Sequence, residues 1–399
     1  MDGPYGSLDY SPEAAKFRAQ IRLMLEANLP AGWVGLGDKS LDEREEFCAR
    51  WFSVLSENGL RAPGWPREYG GAGLSEIERV VLTEEMVRNG LPERMALDRF
   101  GIDMLGPTLI RWGTEAQKEY FLPRILSGEH RWCQGFSEPG AGSDLASLST
   151  SAVLDGDEWV INGQKVWTTG AHNANWIFVL VRTDPGAARH AGISLLLCPM
   201  NQPGVEVQPI QTLVGNSDFN AVFFTDARTA RSNVVGEVDD GWQVAMSLLG
   251  HERLGQASVL AYELDFERLK RMVDDVGKSS DPLLRQKLAD AYTTLQILRF
   301  FSLRTTQNLV EGRPPGPEVG LGKLIWSRYL QTVSNIGVDV LGMGASVLEG
   351  RPPTPDSRVD DFNAPTVRLR GSVNFSALGH GRSSRGHRKS STTSLVNAC

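Results

Sequence analysis

Cysteine is scarce in this chain: Cys48, Cys133, Cys198 and Cys399 are the four among 399 residues, and no two have a paired spacing. That argues against a disulfide framework and against a zinc site, and it fits a reducing compartment. Histidine is almost as sparse, with six dispersed residues and no HExxH or similar ligand pair, so no metal is expected. No apolar run approaches the roughly 20 residues that cross a bilayer, which excludes a membrane-spanning helix from the expectation. The first residues, MDGPYGSLDYSPEAAKF, have neither a basic segment leading into an apolar one nor an Arg-rich, acid-poor character. A soluble, cytoplasmic protein is therefore expected. A net charge of -7 gives no reason to expect nucleic acid as a partner.

What is present is enough chain for two or three packed units. Residues 10 to about 130 read as helices. Phe47, Trp51, Val54 and Leu55 recur at helical spacing between Asp42 and Asn58, with Gly59 as a stop. A second helix is predicted from Glu76 to Arg88, and Thr114 with Gln117 forms a capping-box pattern ahead of a third. Glu84 and Glu85 are neighbours on the second helix, where adjacent side chains diverge, so they read as an exposed acid pair with no catalytic part. From Trp132 to Val238 short apolar runs alternate with turn residues. Ala152 to Leu154, a turn at Asp155-Gly156-Asp157, and Trp159 to Ile161 ending in a second turn at Asn162-Gly163 predict a strand, turn, strand, turn order. After Gly241 helical stripes return, as in Leu284, Leu288, Ala291, Leu295 and Leu298, and a further helix is predicted from Leu321 to Leu341. Beyond Arg351 the chain turns to Pro, Ser, Gly, Arg and His and reads as a mobile tail.

The predicted fold is thus an α+β multidomain chain. It has an N-terminal helical domain over 1–131, a central small β-barrel or sandwich over 132–238, a C-terminal helical bundle over 239–350 and a divergent tail over 351–399.

The most informative stretches are GFSEPGAGSD at 135–144 and EWVINGQKVWTTG at 158–170. Each alone reads as a Gly-rich loop or an ordinary strand, with Trp167 a sheet aromatic, Ser137 a cap and Asp144 a turn former. In the helical region after Gly241, the apolar stripe Trp242, Ala245, Met246 and Leu249 continues onto Glu252 and Arg253. Charges so placed are costly unless they pair between helices or line a cavity, and the residues alone leave both readings open.

Taken in order, these stretches resemble the acyl-CoA dehydrogenase family. The resemblance extends over about residues 10 to 350 through PREYGGAGLSEIE (66–78), IRWGTEAQKEYFLPRILSGEHRWCQGFSEPGAGSDL (110–145) and FNAVFFTDARTARSNVVGEVDDGWQVAMSLLGHERLG (219–255). It implies oxidation of an acyl-CoA thioester to the trans-2-enoyl-CoA, as in fatty acid β-oxidation, with FAD as cofactor and an electron-transfer flavoprotein as acceptor. It implies Glu252 as the base that removes the α-proton, with Arg253 and Ser143 binding substrate. For the flavin it implies Gln134, Phe136 and Ser137 beside the ring, Gly142 and Ser143 at the turn where cofactor and CoA meet, Trp167 packing by the ring, and Thr168 and Thr169 near nitrogen 5. A homodimer or tetramer, or a hetero-oligomer, is implied as well.

The chain departs from that pattern in three places. The Arg-x-Thr/Gln-x-Phe-Gly element is missing from the region reading DDVGKSSDPLLRQKLADAY, Asp339 stands where the Q-x-x-G-G segment has Gln, and nothing after residue 369 resembles the family's final Gly-Gly-Thr-x-Glu stretch. A shifted reading frame or a divergent tail would account for the last. These departures keep two further expectations alive beside the dehydrogenase: a non-catalytic partner subunit of a hetero-oligomer, and an oxidase on the same fold. His172 and His251 are given no role.

Overall fold

A computed structural model describes residues 10–36, 41–92, 98–212, 217–254, 259–311, 313 and 319–342. For residues 41, 42, 45, 251–254, 309, 310, 319 and 320 it describes the backbone alone. The tail expected over 351–399 lies outside the described residues. Among the described residues helices come first and last and a sheet lies between them, in the order that the hydrophobic patterning predicts. In space the described residues form two compact units, one made of those within 10–58, 74–92 and 259–342, the other of those within 59–73 and 98–254.

The first unit is helical: α1 (Pro12–Asn28), α2 (Leu41–Glu57), α3 (Glu76–Arg88), and, later in the chain, three further packed helices. Ser11 starts α1 by accepting the Ala14 amide on its hydroxyl at 3.1 Å, with Pro12 and Glu13 in the first turn where a missing N–H and a negative charge are both favoured. Ala14, Arg18, Ile21 and Leu25 form its buried stripe. Arg18 is thus a guanidinium in a core position, and α3 supplies its partners. Its two terminal nitrogens donate to Glu84 at 2.7 Å and Glu85 at 2.8 Å, while Arg22 donates to Glu85 and the Tyr10 hydroxyl to Glu84. Glu84 and Glu85 are therefore buried, not the exposed pair that the sequence predicts. A divergent pair on one helix can still converge on the planar fork of a single guanidinium.

The remaining helices of this unit are α7 (Leu260–Asp275), α8 (Pro282–Val310) and α9 (Val319–Leu341). Tyr329 joins α9 to α7 by donating to the Tyr262 carbonyl at 2.9 Å, and Lys287 joins α8 to Asp339 of α9 at 2.6 Å. Asp339 is thus a helix-to-helix ion-pair partner.

The second unit wraps α4 (Gly106–Trp112), α5 (Glu115–Ser127), α6 (Gly241–Leu254) and a π-helical turn at Arg99–Leu105 around a sheet. The box predicted for α5 is present: Thr114 accepts the Gln117 amide at 3.2 Å and the Gln117 side chain accepts the Thr114 amide at 3.0 Å. Gln117 also donates to the carbonyls of Ser232 and Val234, tying the helix start to the sheet's last strand.

The sheet holds β1 (Trp132–Gly135), β2 (Ser151–Asp155), β3 (Glu158–Thr169), β4 (Trp176–Arg182), β5 (Ile193–Pro199), β6 (Val205–Ile210), β7 (Phe219–Ala230) and β8 (Val234–Val235). Their order is β6-β7-β3-β2-β4-β5-β8, with β1 parallel to β4. Both faces are covered. Ile177, Val179 and Val181 of β4 point into a core shared with β3, β5 and β7, whereas Phe178 and Leu180 point to a core shared with α4, α5 and α6. The sheet curls on itself, since Thr229 of β7 donates to the Leu197 carbonyl of β5 at 2.6 Å and Gln202 to the Arg228 carbonyl at 2.9 Å.

One turn expectation is overturned. β3 does not end at Asn162-Gly163 but runs on to Thr169, 12 residues in all, and the pair forms a bulge against β7. Gly163 has φ 147°, and a Cβ there would lie 2.6 Å from the Thr150 hydroxyl oxygen, so glycine serves here for close strand approach and not for reversal.

Candidate active site

The sheet's least regular point is Trp167. A second register shift in the β3–β7 ladder falls between Lys165 and Thr168, and Trp167 within it adopts φ 62°. A bulky residue in the left-handed region is a genuine outlier, costing about 1–2 kcal/mol, and such outliers collect where function holds them. The bulge turns the indole out of the pleat: Trp167 is 40% exposed while Thr168 is buried, and its ring edge meets Phe219 at 6.0 Å. Thr169 beside it is half-buried.

The backbone here is held from below. Asn220 of β7, fully buried, donates its amide to the Thr168 carbonyl at 2.9 Å and pairs through its oxygen with His172 Nδ1 at 3.1 Å. The Thr168 hydroxyl is enclosed and has no hydrogen-bond partner among the described residues. Thr168 is thus enclosed, and Thr169 is the more accessible of the two threonines.

The segment leaving β1 runs alongside. Gln134 is half-buried in register with Phe178, and Phe136 packs its ring edge on Phe178 at 5.9 Å. The Val166 amide donates to the Ser137 carbonyl at 2.9 Å, and Lys165 Nζ donates to the Phe136 carbonyl at 3.1 Å. Phe136 and Ser137 are thereby brought against the Trp167–Thr169 bulge. Glu138 closes the join: its carboxylate accepts Lys165 at 2.7 Å, the Ser149 amide at 2.7 Å and the Thr150 amide at 2.9 Å. Burial pushes the Glu138 carboxyl up, but Lys165 and these donors outweigh it and hold it at about 2. Burial pulls the Lys165 ammonium down to about 8, with Glu138 opposing, so the two are an ion pair near neutrality.

Gly142 and Ser143 follow on a separate turn. A Cβ at Gly142 would meet nothing within 4 Å, and Ser143 is exposed. This turn is tied to the loop between β4 and β5, because Asp144 pairs with Arg189, and Arg182 donates to the carbonyls of Ala146, Arg189 and Ala191. Trp242 at the start of α6 stacks on His190 of that loop at 4.4 Å. Ten residues along α6 come Glu252 and Arg253; their backbone is helical and their side chains lie outside the described residues. His251 likewise is described in backbone alone.

Glu138, Lys165, Asn220 and Phe219 were not among the residues predicted to build this place. One of them leaves a signal in the sequence: counting inward positions by twos from Trp159 and Ile161 lands on Gly163 and then Lys165, a lysine at a core position.

An exposed indole on a strained bulge, backbone edges next to it and unfilled space at Gly142 fit a flat, half-polar ring laid against the sheet. Among the described residues no group of three or more His, Cys, Asp or Glu could hold a metal ion, and no helix is long and apolar enough to cross a membrane.

Three family models match the chain in succession: the acyl-CoA dehydrogenase N-terminal domain over residues 11–129, the middle domain over 133–227 and the C-terminal domain over 239–360. The chain is 44% identical over 359 residues to acyl-CoA dehydrogenase IpdE1 of Mycobacterium tuberculosis, covering 88% of this chain and 90% of that one. Among solved structures it is similar to the Tcur3481-Tcur3483 steroid ACAD, with a TM-score of 0.75 and 32% identity over 97% of this chain and 95% of that one. It is also similar to the ChsE4-ChsE5 complex of Mycobacterium tuberculosis, with a TM-score of 0.70 and 26% identity over 95% and 99% of the two chains. With three consecutive domain models and a relative matched along nearly its whole length, this chain belongs to the acyl-CoA dehydrogenase family of oxidoreductases.

Proposed function

We propose that the protein is an FAD-dependent dehydrogenase that oxidises an acyl-CoA thioester to its trans-2-enoyl-CoA. The observation that carries this reading is the left-handed Trp167 on its bulge, an exposed aromatic held in a costly conformation beside the Phe136–Ser137 edge. Gln134, Phe136, Ser137, Trp167, Thr168 and Thr169 would hold the flavin ring, with Gly142 and Ser143 leaving room where the cofactor meets CoA. The chemistry that a bound FAD supplies is acceptance of the substrate's β-hydrogen as hydride. Glu252 on α6 takes the α-proton; Arg253 and Ser143 hold the thioester's CoA side.

Likeness to a protein titled a steroid ACAD supports a bulky, steroid-derived acyl group as substrate in preference to a short straight chain. Electrons then pass to an electron-transfer flavoprotein and not to oxygen. Two solved neighbours carry two-chain names, and α8 and α9 expose Phe300, Ile297, Leu321 and Leu324, which supports assembly with a second copy or a related chain.

The test is anaerobic bleaching of the flavin band by a panel of acyl-CoA thioesters, steroid-derived and straight-chain. Glu252→Gln is expected to keep the band and slow bleaching by about 10²-fold or more. An unchanged rate would remove Glu252 as the base, and a preparation that takes up no FAD would remove the dehydrogenase reading altogether.

A further inference from the structure

We infer that the buried Glu138–Lys165 ion pair is a positioning device that sets the register between the Phe136–Ser137 edge and the Trp167–Thr169 bulge. The inference rests on the flavin reading above and assigns two residues that touch no substrate.

The ladder of β1 runs with β4. The two flavin-facing segments are joined by one backbone bond, Val166 to Ser137, and by the two bonds of Lys165 Nζ to the Phe136 carbonyl and to Glu138. Lys165 is wholly buried and Glu138 nearly so. An ion pair so placed is a poor source of stability, since apolar residues of similar size often serve as well or better; what it supplies is directed geometry. The geometry is complete here. Glu138 spends its second oxygen on the Ser149 amide and hydroxyl, and its backbone closes a reciprocal turn with Ala141, at 2.8 Å and 3.1 Å. One carboxylate thus fixes the turn that leads to Gly142 and, through Lys165, the strand that carries Trp167. Removing the pair would leave both segments folded and free to slide relative to each other by fractions of an ångström, which a ring bound across both would register.

The test compares wild type, Glu138→Gln/Lys165→Met and Glu138→Asp by urea unfolding of the apoproteins, by FAD dissociation constant and by the fine structure of the bound flavin band. The double variant is expected to unfold close to the wild-type midpoint while its FAD affinity falls by roughly tenfold and the band loses resolution. Glu138→Asp keeps the charge and withdraws the carboxylate by one methylene; it is expected to keep its fold and also to bind FAD more weakly. If the double variant folds and binds FAD with the wild-type constant and band, the pair is not a positioning device. If the double variant does not fold, wild-type affinity and band in Glu138→Asp would overturn the inference equally. A wild-type protein that binds no FAD would instead overturn the flavin reading itself, a result distinguishable from either.

Discussion

The buried amide of Asn220 donates to the carbonyl of Thr168 across the β3–β7 ladder at 2.9 Å, one residue beyond the left-handed Trp167. The side chain does there what the interrupted ladder cannot. A bulge removes a backbone partner, and a buried carbonyl without one costs about as much as a lost hydrogen bond. Asn220→Leu keeps the volume and removes the donor. Its expected cost is about 1–3 kcal/mol in the urea unfolding of the apoprotein, with weaker FAD retention. Stability equal to wild type would show that the Thr168 carbonyl finds another partner.

Trp167 carries strain that glycine would relieve. The left-handed conformation costs about 1–2 kcal/mol for a side chain, and the edge contact with Phe219 returns about 0.5–1.5 kcal/mol. These nearly cancel, so Trp167→Gly is expected to leave apoprotein stability within about 1 kcal/mol of wild type while FAD affinity falls. Calorimetry of the apoprotein beside an FAD titration separates the two effects, and a marked loss of stability with unchanged affinity would assign the indole to packing.

Arg18 faces the opposite balance. Arg18→Met would leave Glu84 and Glu85 buried around an apolar side chain, with Arg22 still at Glu85 and the Tyr10 hydroxyl still at Glu84. Breaking a buried pair from one side costs about 3–5 kcal/mol, far more than the median surface pair. The variant is expected to unfold at clearly lower urea than wild type. A shift below about 1 kcal/mol would mean that water or a neighbouring cation replaces the guanidinium.

Acid should act through Glu138. Its carboxyl is held at about 2 in the folded protein against an ordinary 4.5, so the folded state favours the ionised form. The stability this contributes is complete above about 4.5 and is lost as pH falls from there towards about 2. The wild-type urea midpoint should therefore drop through that window, and Glu138→Gln should flatten the drop. Parallel pH curves for the two proteins would show that another carboxylate governs the acid limit.

Much of the fold was legible because its signals are local. The α3 helix begins and ends at the residues its pattern marks, and the Thr114–Gln117 box closes both of its bonds. The order of helix, sheet and helix followed from a change of hydrophobic period. Asn162-Gly163 misled because glycine answers two needs, reversal and close approach, and only the neighbouring Thr150 decides between them. Glu84 and Glu85 misled for a related reason: their partner Arg18 lies 66 and 67 residues away, and an acid pair looks solvated until that cation is in place. At the candidate site the sequence reading named Trp167, Thr168 and Thr169 of β3 and did not name Lys165 and Asn220, which hold that stretch in place. Asn220 reads as an ordinary strand-edge amide until the bulge opposite it is known.

Along β3 the hairpin tip at Asp155–Glu158 and the bulge at Trp167 stand at opposite ends, separated by roughly 30 Å of extended chain. The solvent-facing tip is therefore a point where a dye or an affinity handle can be attached at Asp157 at a distance from the indole.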